Sequence, residues 1–243
     1  MTYIFMIAGK GSRLQPLTLA CPKSMYMLDE NTTVFQRMVN LIRRYDSDAR
    51  IVAVTGFMHH MIEERVPDVE YVYNPFYAVT NSMGSLWCAR EFLEADNAVL
   101  LNGDIVVSES LIRDVICRKT DKPLVLLDSS IKEGGDYNAQ VDGDKIVIMS
   151  KELDTYFGEY VGITKLDADT LKLYKEELQG MVENGLYSQW FEDVLVQMIF
   201  KDRFSLYYRD VAGYPWTEID CVSDLRVAQN IHQEIPDVTE KVC

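Results

Sequence analysis

The feature that most constrains this sequence is its amino-terminal stretch, an apolar run over residues 3–8 that breaks at Gly9 and Gly11. An uninterrupted apolar run of this length predicts a strand buried on both faces, as in a parallel sheet. Glycines directly after such a strand let the backbone approach a polyanion and turn its N–H groups toward it. Arg13 and Lys23 follow, and both side chains can bind phosphate oxygens. The stretch therefore predicts a phosphate-binding loop, although the two glycines alone fit an ordinary tight turn equally well.

Two common phosphate-binding motifs do not fit this stretch. A Walker loop has the pattern G-x-x-x-x-G-K-[ST], and the sequence lacks the upstream glycine that this pattern requires. A dinucleotide-binding fingerprint has the pattern G-x-G-x-x-G, and Leu14 stands where the third glycine belongs. Any phosphate site here is therefore of another kind.

Composition limits the class of protein and of partner. The chain has 243 residues, of which 48% are hydrophobic, so it can bury a large core. Its formal charge of −14 argues against nucleic acid or an anionic membrane as a partner, but a nucleotide needs only a few local cations and a divalent metal. Five scattered cysteines favour a reducing compartment, and no long apolar stretch predicts a membrane span. We expect a soluble, cytoplasmic protein.

The order of the predicted elements indicates the fold class. Strands and helices alternate at short intervals to about residue 130, which is typical of a doubly wound α/β sheet. Beyond that point strands predominate, and Asp142-Gly143-Asp144 predicts a hairpin. The helices that we predict lie at residues 34–42, 58–65, 82–92, 109–117, 168–178, 187–200 and 222–233. We expect one domain over residues 1–243.

Three carboxylates stand where a metal ion could bind. Asp104 directly follows a predicted buried strand, and ligands of such sheets bind at the carboxyl ends of the strands. Glu218 and Asp220 flank one residue in a strand-like segment, so both side chains point to the same face. Asp104 could instead be an ordinary turn aspartate, and the pair could be a solvated face plus a helix cap. Together with the cations, however, the carboxylates suit phosphoryl or nucleotidyl transfer.

Two segments resemble a known family. Residues 7–18, IAGKGSRLQPLT, with the segment 22–25, PKSM, resemble the signature of the nucleotidyltransferases that make nucleotide sugars and CDP-alcohols. Residues 102–104 and 218–220 are similar to that family's metal-binding segments, whereas Ile7 departs from its usual alanine. The resemblance implies a GT-A-like fold, namely a Rossmann-like, doubly wound, mixed but mostly parallel sheet with a small β-rich acceptor-binding extension. It also implies a nucleotide-binding half, residues 1–130, and a half that binds the acceptor and completes the metal site, residues 131–243.

Within that family the chain is most similar to the small phosphocholine cytidylyltransferase-like enzymes, through residues 74–86 and 216–225. This similarity implies Mg²⁺-dependent transfer of CMP from CTP to a small phosphorylated or phosphono alcohol such as phosphocholine, with release of pyrophosphate. Two other hypotheses remain open: a sugar-1-phosphate nucleotidyltransferase that uses UTP, dTTP or GTP, and a non-catalytic nucleotide-sensing subunit. A homodimer is compatible with the sequence.

The resemblance also implies roles for individual residues. Arg13 and Lys23 would be the catalytic cations. Asp104 and Asp220 would hold Mg²⁺, with Glu218 as a further ligand. The residues implied in binding the base and the triphosphate are Ala8, Gly9, Gly11, Ser12, Arg13, Lys23, Gly56, Asn81 and Ser85.

The acceptor site is the least determined part of the sequence-based prediction. Aromatic side chains near a carboxylate suit a quaternary ammonium group. The residues in segments that could face the acceptor are Tyr77, Glu159, Tyr160, Tyr214 and Trp216. Asp136, Asn138 and Gln140 are alternatives for an acceptor that carries an amine or an amide. The competing interpretation is that these aromatic residues belong to the core at the edge of the sheet.

Overall fold

The computed structural model describes residues 1–11, 19–132, 137–201 and 204–233. The strands in chain order are β1 (Thr2–Ile7), β2 (Arg50–Thr55), β3 (Glu70–Tyr73), β4 (Asn97–Asn102), β5 (Ile105–Val107), β6 (Leu124–Asp128), β7 (Asn138–Asp142), β8 (Lys145–Ser150), β9 (Gly158–Asp167), β10 (Tyr207–Asp210) and β11 (Trp216–Glu218). The helices are α1 (Val34–Tyr45), α2 (His59–Arg65), α3 (Ser82–Cys88), α4 (Glu109–Leu111), α5 (Ala168–Glu183), α6 (Glu192–Phe200) and α7 (Val222–Gln233).

One nine-stranded sheet forms the centre of the protein, in the order β3-β2-β1-β4-β9-β6-β10-β8-β7. The mixed α/β fold is therefore confirmed. Parallel pairing is less extensive than predicted, since it holds within β3-β2-β1-β4 and between β6 and β10. The long strand β9 runs antiparallel to β4, β6 and β7, and β8 pairs antiparallel with β7 and β10. The difference comes mainly from β9, which pairs antiparallel with three strands, and only the β7–β8 pair follows from a tight hairpin.

Strand β1 is buried because helices cover both faces of the sheet. On one face Tyr3 and Phe5 pack in a cluster with α1, where Phe35 meets Phe5 edge-on with a distance of 5.2 Å between the ring centroids. On the other face Ile4 packs with Leu86 of α3 and with residues of α5 and α6. Alternate residues of a strand point to opposite faces, so a strand covered on both sides is apolar throughout. This arrangement is the doubly wound one that the sequence predicts.

The short strand β5 is a feature that the sequence-based prediction lacked. It pairs antiparallel with β11 in a separate two-stranded ribbon, with Glu218 opposite Ile105. The Ile219 N–H donates to the Asp104 carbonyl at 3.0 Å and extends this pairing by one residue. The ribbon therefore joins the segment after β4 to the segment before α7.

Several predicted helices have other bounds in the structure. The helix predicted over 82–92 ends at Cys88 and continues as a 3₁₀ turn over Arg90–Leu93. The helix predicted over 109–117 becomes a π-helix from Ile112 to Ile116. The helix predicted over 187–200 begins only at Glu192, because backbone N–H groups of the α3 segment donate to carbonyls of residues 187 and 189. Among the described residues, no helix is long and apolar enough to cross a membrane.

Candidate active site

Three carboxylates converge at the carboxyl end of β4. Asp104 follows β4, Glu218 ends β11, and Asp220 precedes α7. One carboxylate oxygen from each lies within 4.8 Å of the others. The backbone N–H groups of Asp220 and Cys221, where α7 begins, donate to the carboxylate of Asp224, at 2.9 and 2.7 Å. The β5–β11 ribbon therefore brings together carboxylates that are far apart in the sequence.

Lys23 lies between two of these carboxylates. Its Nζ donates to Asp104 Oδ2 at 2.9 Å and to Asp220 Oδ1 at 2.6 Å. Burial lowers the pKa of Lys23, but the charges of Asp104 and Asp220 and the hydrogen bonds to them outweigh burial and raise the pKa overall. The side chain is therefore a cation that partly neutralises the three carboxylates.

A cleft opens beside this cluster, between the loop after β1 and the start of α3. It consists of two adjoining cavities of about 340 and 190 Å³ that share Met6, Gly9, Asn81, Gly103, Asp104 and Trp190. Nine of the residues that the sequence analysis selects line it, namely Ala8, Gly9, Gly11, Lys23, Tyr77, Asn81, Ser85, Asp104 and Glu218. Ser12 and Arg13 lie outside the described residues.

The glycines differ in what the structure requires of them. Gly11 has a φ of +59°, a conformation that side-chain-bearing residues rarely adopt. Gly56 lies behind the cleft, where a Cβ atom would come within 2.7 Å of the Ala8 carbonyl and within 2.6 Å of the Tyr77 Cβ. The next residue, Phe57, donates its N–H to the same carbonyl at 3.0 Å. Gly56 therefore shapes the wall of the cleft from behind and does not line it.

The wall formed by α3 is held by a small polar network. The Asn74 side chain is buried and donates to Thr80 Oγ1 at 3.0 Å and to Ser85 Oγ at 3.1 Å. Asn81 accepts from the Ser82 N–H through its Oδ1 at 2.9 Å, which caps α3. This network holds Asn81 and Ser85 on the side of α3 that lines the cleft.

The structure separates the residues that the sequence proposes for the acceptor. Tyr77 lines the cleft. Tyr160 is not brought to the cleft, because it is 4% exposed, packs in the core and shares a hydrogen bond with Thr164. Its place in the core agrees with the competing interpretation. Trp216 donates its indole N–H to Asp128 at 2.7 Å, and Tyr214 packs against the same core face as β11.

The remaining acceptor candidates lie on the antiparallel half of the sheet. Glu159 pairs with Asp128 and Asn138 across neighbouring strands. Asn138 is buried, and the Gln140 side chain donates to the Thr155 carbonyl at 2.8 Å. None of the three is among the residues that line the cleft in the described part of the chain. Asp136 falls outside the described residues.

Trp190 lines both cavities, and the sequence analysis missed it. Its side chain is 39% exposed, and the Lys151 ammonium lies 4.5 Å from its ring centroid. Backbone hydrogen bonds from Asn81 to Tyr187 and from Met83 to Gln189 hold its segment against α3. Its place depends on these contacts between distant segments, so no local pattern could have indicated it.

Ile7 fills the space beside Gly103. A Cβ atom on Gly103 would lie 2.1 Å from Ile7 Cγ2 and 2.7 Å from the Met6 carbonyl oxygen. Ile7 itself is 5% exposed and lines the cleft. The departure from the small residue that is usual at this position thus narrows the floor of the cleft next to Asp104.

A buried carboxyl group lies behind the cleft, on Glu192 at the start of α6. Burial raises the pKa of Glu192 to about 8, a hydrogen bond to Asn102 opposes the shift, and Oε2 has no hydrogen-bond partner. The charged or titratable groups that interact with it include Asp193, Lys151, Tyr137, Tyr160 and Tyr174. Glu192 is therefore a neutral acid at neutral pH, and ionisation would oppose the folded state.

The pKa of Glu192 predicts a pH-dependent difference in stability. Because its folded pKa lies above the unfolded value of 4.5, the wild type loses up to about 1.4 kcal/mol of unfolding free energy per pH unit between pH 4.5 and 8, relative to Glu192→Gln. Urea denaturation at pH 5, 6.5 and 8 measures this difference, with the exposed Glu152→Gln as the control. A difference that does not change with pH would show that Glu192 is ionised in the folded protein.

Two further features lie elsewhere on the surface. A groove of about 1080 Å³ runs along the amino ends of the strands, and it is lined by side chains of both charges such as Arg50, Lys175 and Glu94. His59, His60 and Glu63 group on α2, where His59 Nδ1 lies 2.9 Å from Glu63 Oε1. Neither feature shares a residue with the cleft. The groove lies at the amino ends of the strands, whereas ligands of open α/β sheets bind at the carboxyl ends.

Comparisons with known proteins agree with this geometry. Residues 3–137 match the MobA-like NTP transferase domain, and they form more than half of the chain. The chain belongs to this family. The match includes the loop after β1, α3 and Asp104, and it confirms the expectation of a nucleotidyltransferase.

Among relatives of this MobA-like chain is a choline-phosphate cytidylyltransferase of Streptococcus pneumoniae, which is 24% identical over 95% of this chain and 98% of its own. A 2-aminoethylphosphonate cytidylyltransferase of Lancefieldella rimae is 26% identical over 91% of this chain and 89% of its own. The solved structure of a CTP:phosphocholine cytidylyltransferase from Streptococcus pneumoniae superposes with a TM-score of 0.75 at 20% identity and covers 95% of this chain and 98% of its own. At that identity the superposition establishes the fold.

Proposed function

We propose that the protein is a Mg²⁺-dependent cytidylyltransferase that transfers CMP from CTP to a small phosphorylated or phosphono alcohol, such as phosphocholine, and releases pyrophosphate. The observation that carries the proposal is the contact of Lys23 with Asp104 and Asp220 beside the glycine loop. Cations and carboxylates at one end of a parallel sheet are what transfer of a nucleotidyl group requires. The two cytidylyltransferase relatives, which match almost the whole chain, support CTP as the donor.

Different residues of the cleft are suited to bind the different parts of the two substrates. The backbone of Gly9 and Gly11 can approach the triphosphate closely, because neither residue carries a side chain. Ala8, Asn81 and Ser85 form the part of the cleft proposed for the nucleoside. Lys23 supplies a positive charge at the place where the α-phosphate of CTP and the phosphate of the acceptor would meet.

The carboxylate cluster suits Mg²⁺ by its chemistry. Asp104, Glu218 and Asp220 offer only oxygen atoms, and Mg²⁺ and similar hard cations bind through oxygen. When bound, the ion would neutralise negative charge on the triphosphate and polarise its phosphoryl oxygens. Asp104 and Asp220 would hold it, and Glu218 would be a further ligand.

The reaction needs no nucleophile from the protein. An oxygen of the acceptor's phosphate or phosphonate attacks the α-phosphorus of CTP, the bond between that phosphorus and the oxygen bridging to the β-phosphate breaks, and pyrophosphate leaves. The attacking dianion has no proton to lose, so a general base is unnecessary. The protein's contribution is to position the two phosphates and to offset their mutual repulsion.

The acceptor would approach from the side of the cleft where Tyr77 and Trp190 lie. Aromatic side chains can bind an ammonium group through their ring faces, and the names of both relatives denote acceptors that carry one. We place the enzyme in the cytoplasm, where reduced cysteines such as Cys21, Cys88 and Cys117 are expected.

A screen of nucleotides and acceptors tests this proposal. CTP, UTP, dTTP and GTP are each combined with Mg²⁺ and with phosphocholine, 2-aminoethylphosphonate or glucose 1-phosphate, and the release of pyrophosphate is measured. We expect release with CTP and one of the first two acceptors. Full activity with UTP, dTTP or GTP and a sugar phosphate, and none with CTP, would make the protein a sugar-1-phosphate nucleotidyltransferase instead.

A further inference from the structure

We propose that Lys23 is a built-in counter-ion of the metal site, and that a divalent ion can bind Asp104 and Asp220 only by displacing the Lys23 ammonium from them. The inference rests on the proposed use of a metal by this site. It adds a form of regulation, because the same side chain closes the metal site in the absence of substrate and serves the phosphates in its presence.

The geometry makes the two cations alternatives. Nζ of Lys23 contacts Asp104 Oδ2 at 2.9 Å and Asp220 Oδ1 at 2.6 Å, so it lies between the atoms that would coordinate a metal. A Mg²⁺ ion bonds to carboxylate oxygen at about 2.0–2.1 Å and would occupy the same space. Two cations at one pair of carboxylates also repel each other, most strongly where water is largely excluded, and the Lys23 side chain is only 12% exposed.

The surrounding backbone allows the side chain to move by itself. Lys23 begins a short 3₁₀ turn that is closed by hydrogen bonds from Met25 to Pro22 and from Tyr26 to Lys23. The next residue, Ser24, is buried, so the main chain is fixed on the core side. Rotation about the flexible lysine side chain therefore suffices to carry the ammonium from the carboxylates into the cleft that Lys23 lines with Gly9 and Gly11.

This exchange couples the binding of metal and nucleotide. In the ligand-free protein Lys23 offsets the repulsion among three carboxylates whose oxygens lie within 4.8 Å. A triphosphate in the cleft attracts the ammonium away from them, and the vacated oxygens then bind the metal more strongly. By the reciprocity of coupled equilibria, bound metal also strengthens the binding of the triphosphate.

The test measures the affinity of the nucleotide-free protein for Mn²⁺, by the electron paramagnetic resonance signal of the free ion. We expect Lys23→Met to bind Mn²⁺ at least about 10-fold more tightly than the wild type, because the competing charge is gone. Lys23→Arg retains the cation and is expected to bind within about threefold of the wild type. Lys10→Met, at an exposed position of the glycine loop, controls for the change in net charge. Asp104→Asn in the Lys23→Met background should abolish the gain in Mn²⁺ affinity, which would show that the ion binds at Asp104.

The outcomes separate this inference from the proposed function. Equal or weaker Mn²⁺ binding by Lys23→Met would overturn the counter-ion role, even if the wild type transfers CMP normally. Tighter Mn²⁺ binding by Lys23→Met, combined with a wild type that transfers no CMP, would support the counter-ion role and contradict the proposed function. If Lys23→Met does not fold, Lys23→Gln replaces it, and the increase in melting temperature on adding Mn²⁺ is measured for this variant and for the wild type. A larger increase for Lys23→Gln would support the counter-ion role, and an equal or smaller increase would overturn it.

Discussion

Replacing Asp104 with asparagine is expected to lower the turnover of CTP by about 10³-fold, since a metal-held transition state is worth several kcal/mol and each 1.36 kcal/mol is a factor of ten. Asp104 is the member of the carboxylate cluster that follows β4, and it lines the cleft together with Gly9, Gly11 and Lys23. Asparagine preserves the shape of the side chain and can still accept the hydrogen bond from Lys23. The loss should therefore appear in kcat while the melting temperature changes little.

The matched control for this variant is Asp144→Asn. Asp144 lies in the turn between β7 and β8, and its side chain is 71% exposed. It should keep the activity of the wild type. Turnover of Asp104→Asn within about tenfold of the wild type would mean that Asp104 does not act on the reacting phosphates, and the proposed metal site would be wrong.

Gly103→Ala is expected to destabilise the protein by about 1–3 kcal/mol, because the new methyl group overlaps atoms that have little room to move. It would lie 2.1 Å from Ile7 Cγ2 and 2.7 Å from the Met6 carbonyl oxygen. Isoleucine is branched at Cβ and cannot easily rotate away. For a chain of this size such a loss lowers the melting temperature by roughly 2–4 °C per kcal/mol, which thermal denaturation can measure.

Gly180→Ala serves as a control, because the same substitution is expected to raise the stability of the protein at this position. Gly180 lies within α5, and a Cβ atom there would meet nothing within 4 Å. Alanine in a helix interior is more stable than glycine by about 0.5–1 kcal/mol, so this variant should gain stability.

Adding Ile7→Ala to Gly103→Ala should lower the free energy of unfolding by less than the sum of the two single changes. Strict additivity would show that the contact between these residues does not cause the loss.

Much of the parallel half of the sheet could be predicted because its signals are local. The apolar run that forms β1 and the Thr33 cap of α1 each depend on neighbours in the sequence, and the structure has the Gln36 N–H donating to Thr33 Oγ1. The turn at Gly143 is equally local, with a φ of +59° between β7 and β8. Such features depend on only a few neighbouring residues.

The parts of the site that could not be predicted depend on distant contacts. Lys23 meets residues that lie 81 and 197 positions further along the chain. The strand β5 has only three residues, too few for a periodic pattern, and it forms because β11 pairs with it. Trp190 reaches the cleft through backbone bonds between α3 and a turn that the sequence suggested would be helical. Lys23 and the individual carboxylates could each be named from the sequence, whereas the contact between them could not.

The acceptor residues show a different limit of sequence reasoning. Tyr77 and Tyr160 are equally plausible from composition, yet one lines the cleft and the other is buried in the core. A tyrosine suits both places, because its ring packs well in a core and its hydroxyl can find a partner such as Thr164. Tyr160 lies in β9, whereas Tyr77 lies in the turn between β3 and α3, and where each side chain ends up depends on how these segments pack against the rest of the fold.

Phosphorus-31 nuclear magnetic resonance of the reaction products tests the central claim most directly. The protein is incubated with Mg²⁺, CTP and phosphocholine or 2-aminoethylphosphonate, with Asp104→Asn as the inactive control. We expect the signals of CTP and of one acceptor to be replaced by those of pyrophosphate and of a coupled pair of phosphorus atoms that joins the CMP α-phosphorus to the acceptor. Cleavage of CTP without that coupled pair would contradict the account, as would a coupled pair that forms, in parallel incubations, only from UTP, dTTP or GTP with glucose 1-phosphate.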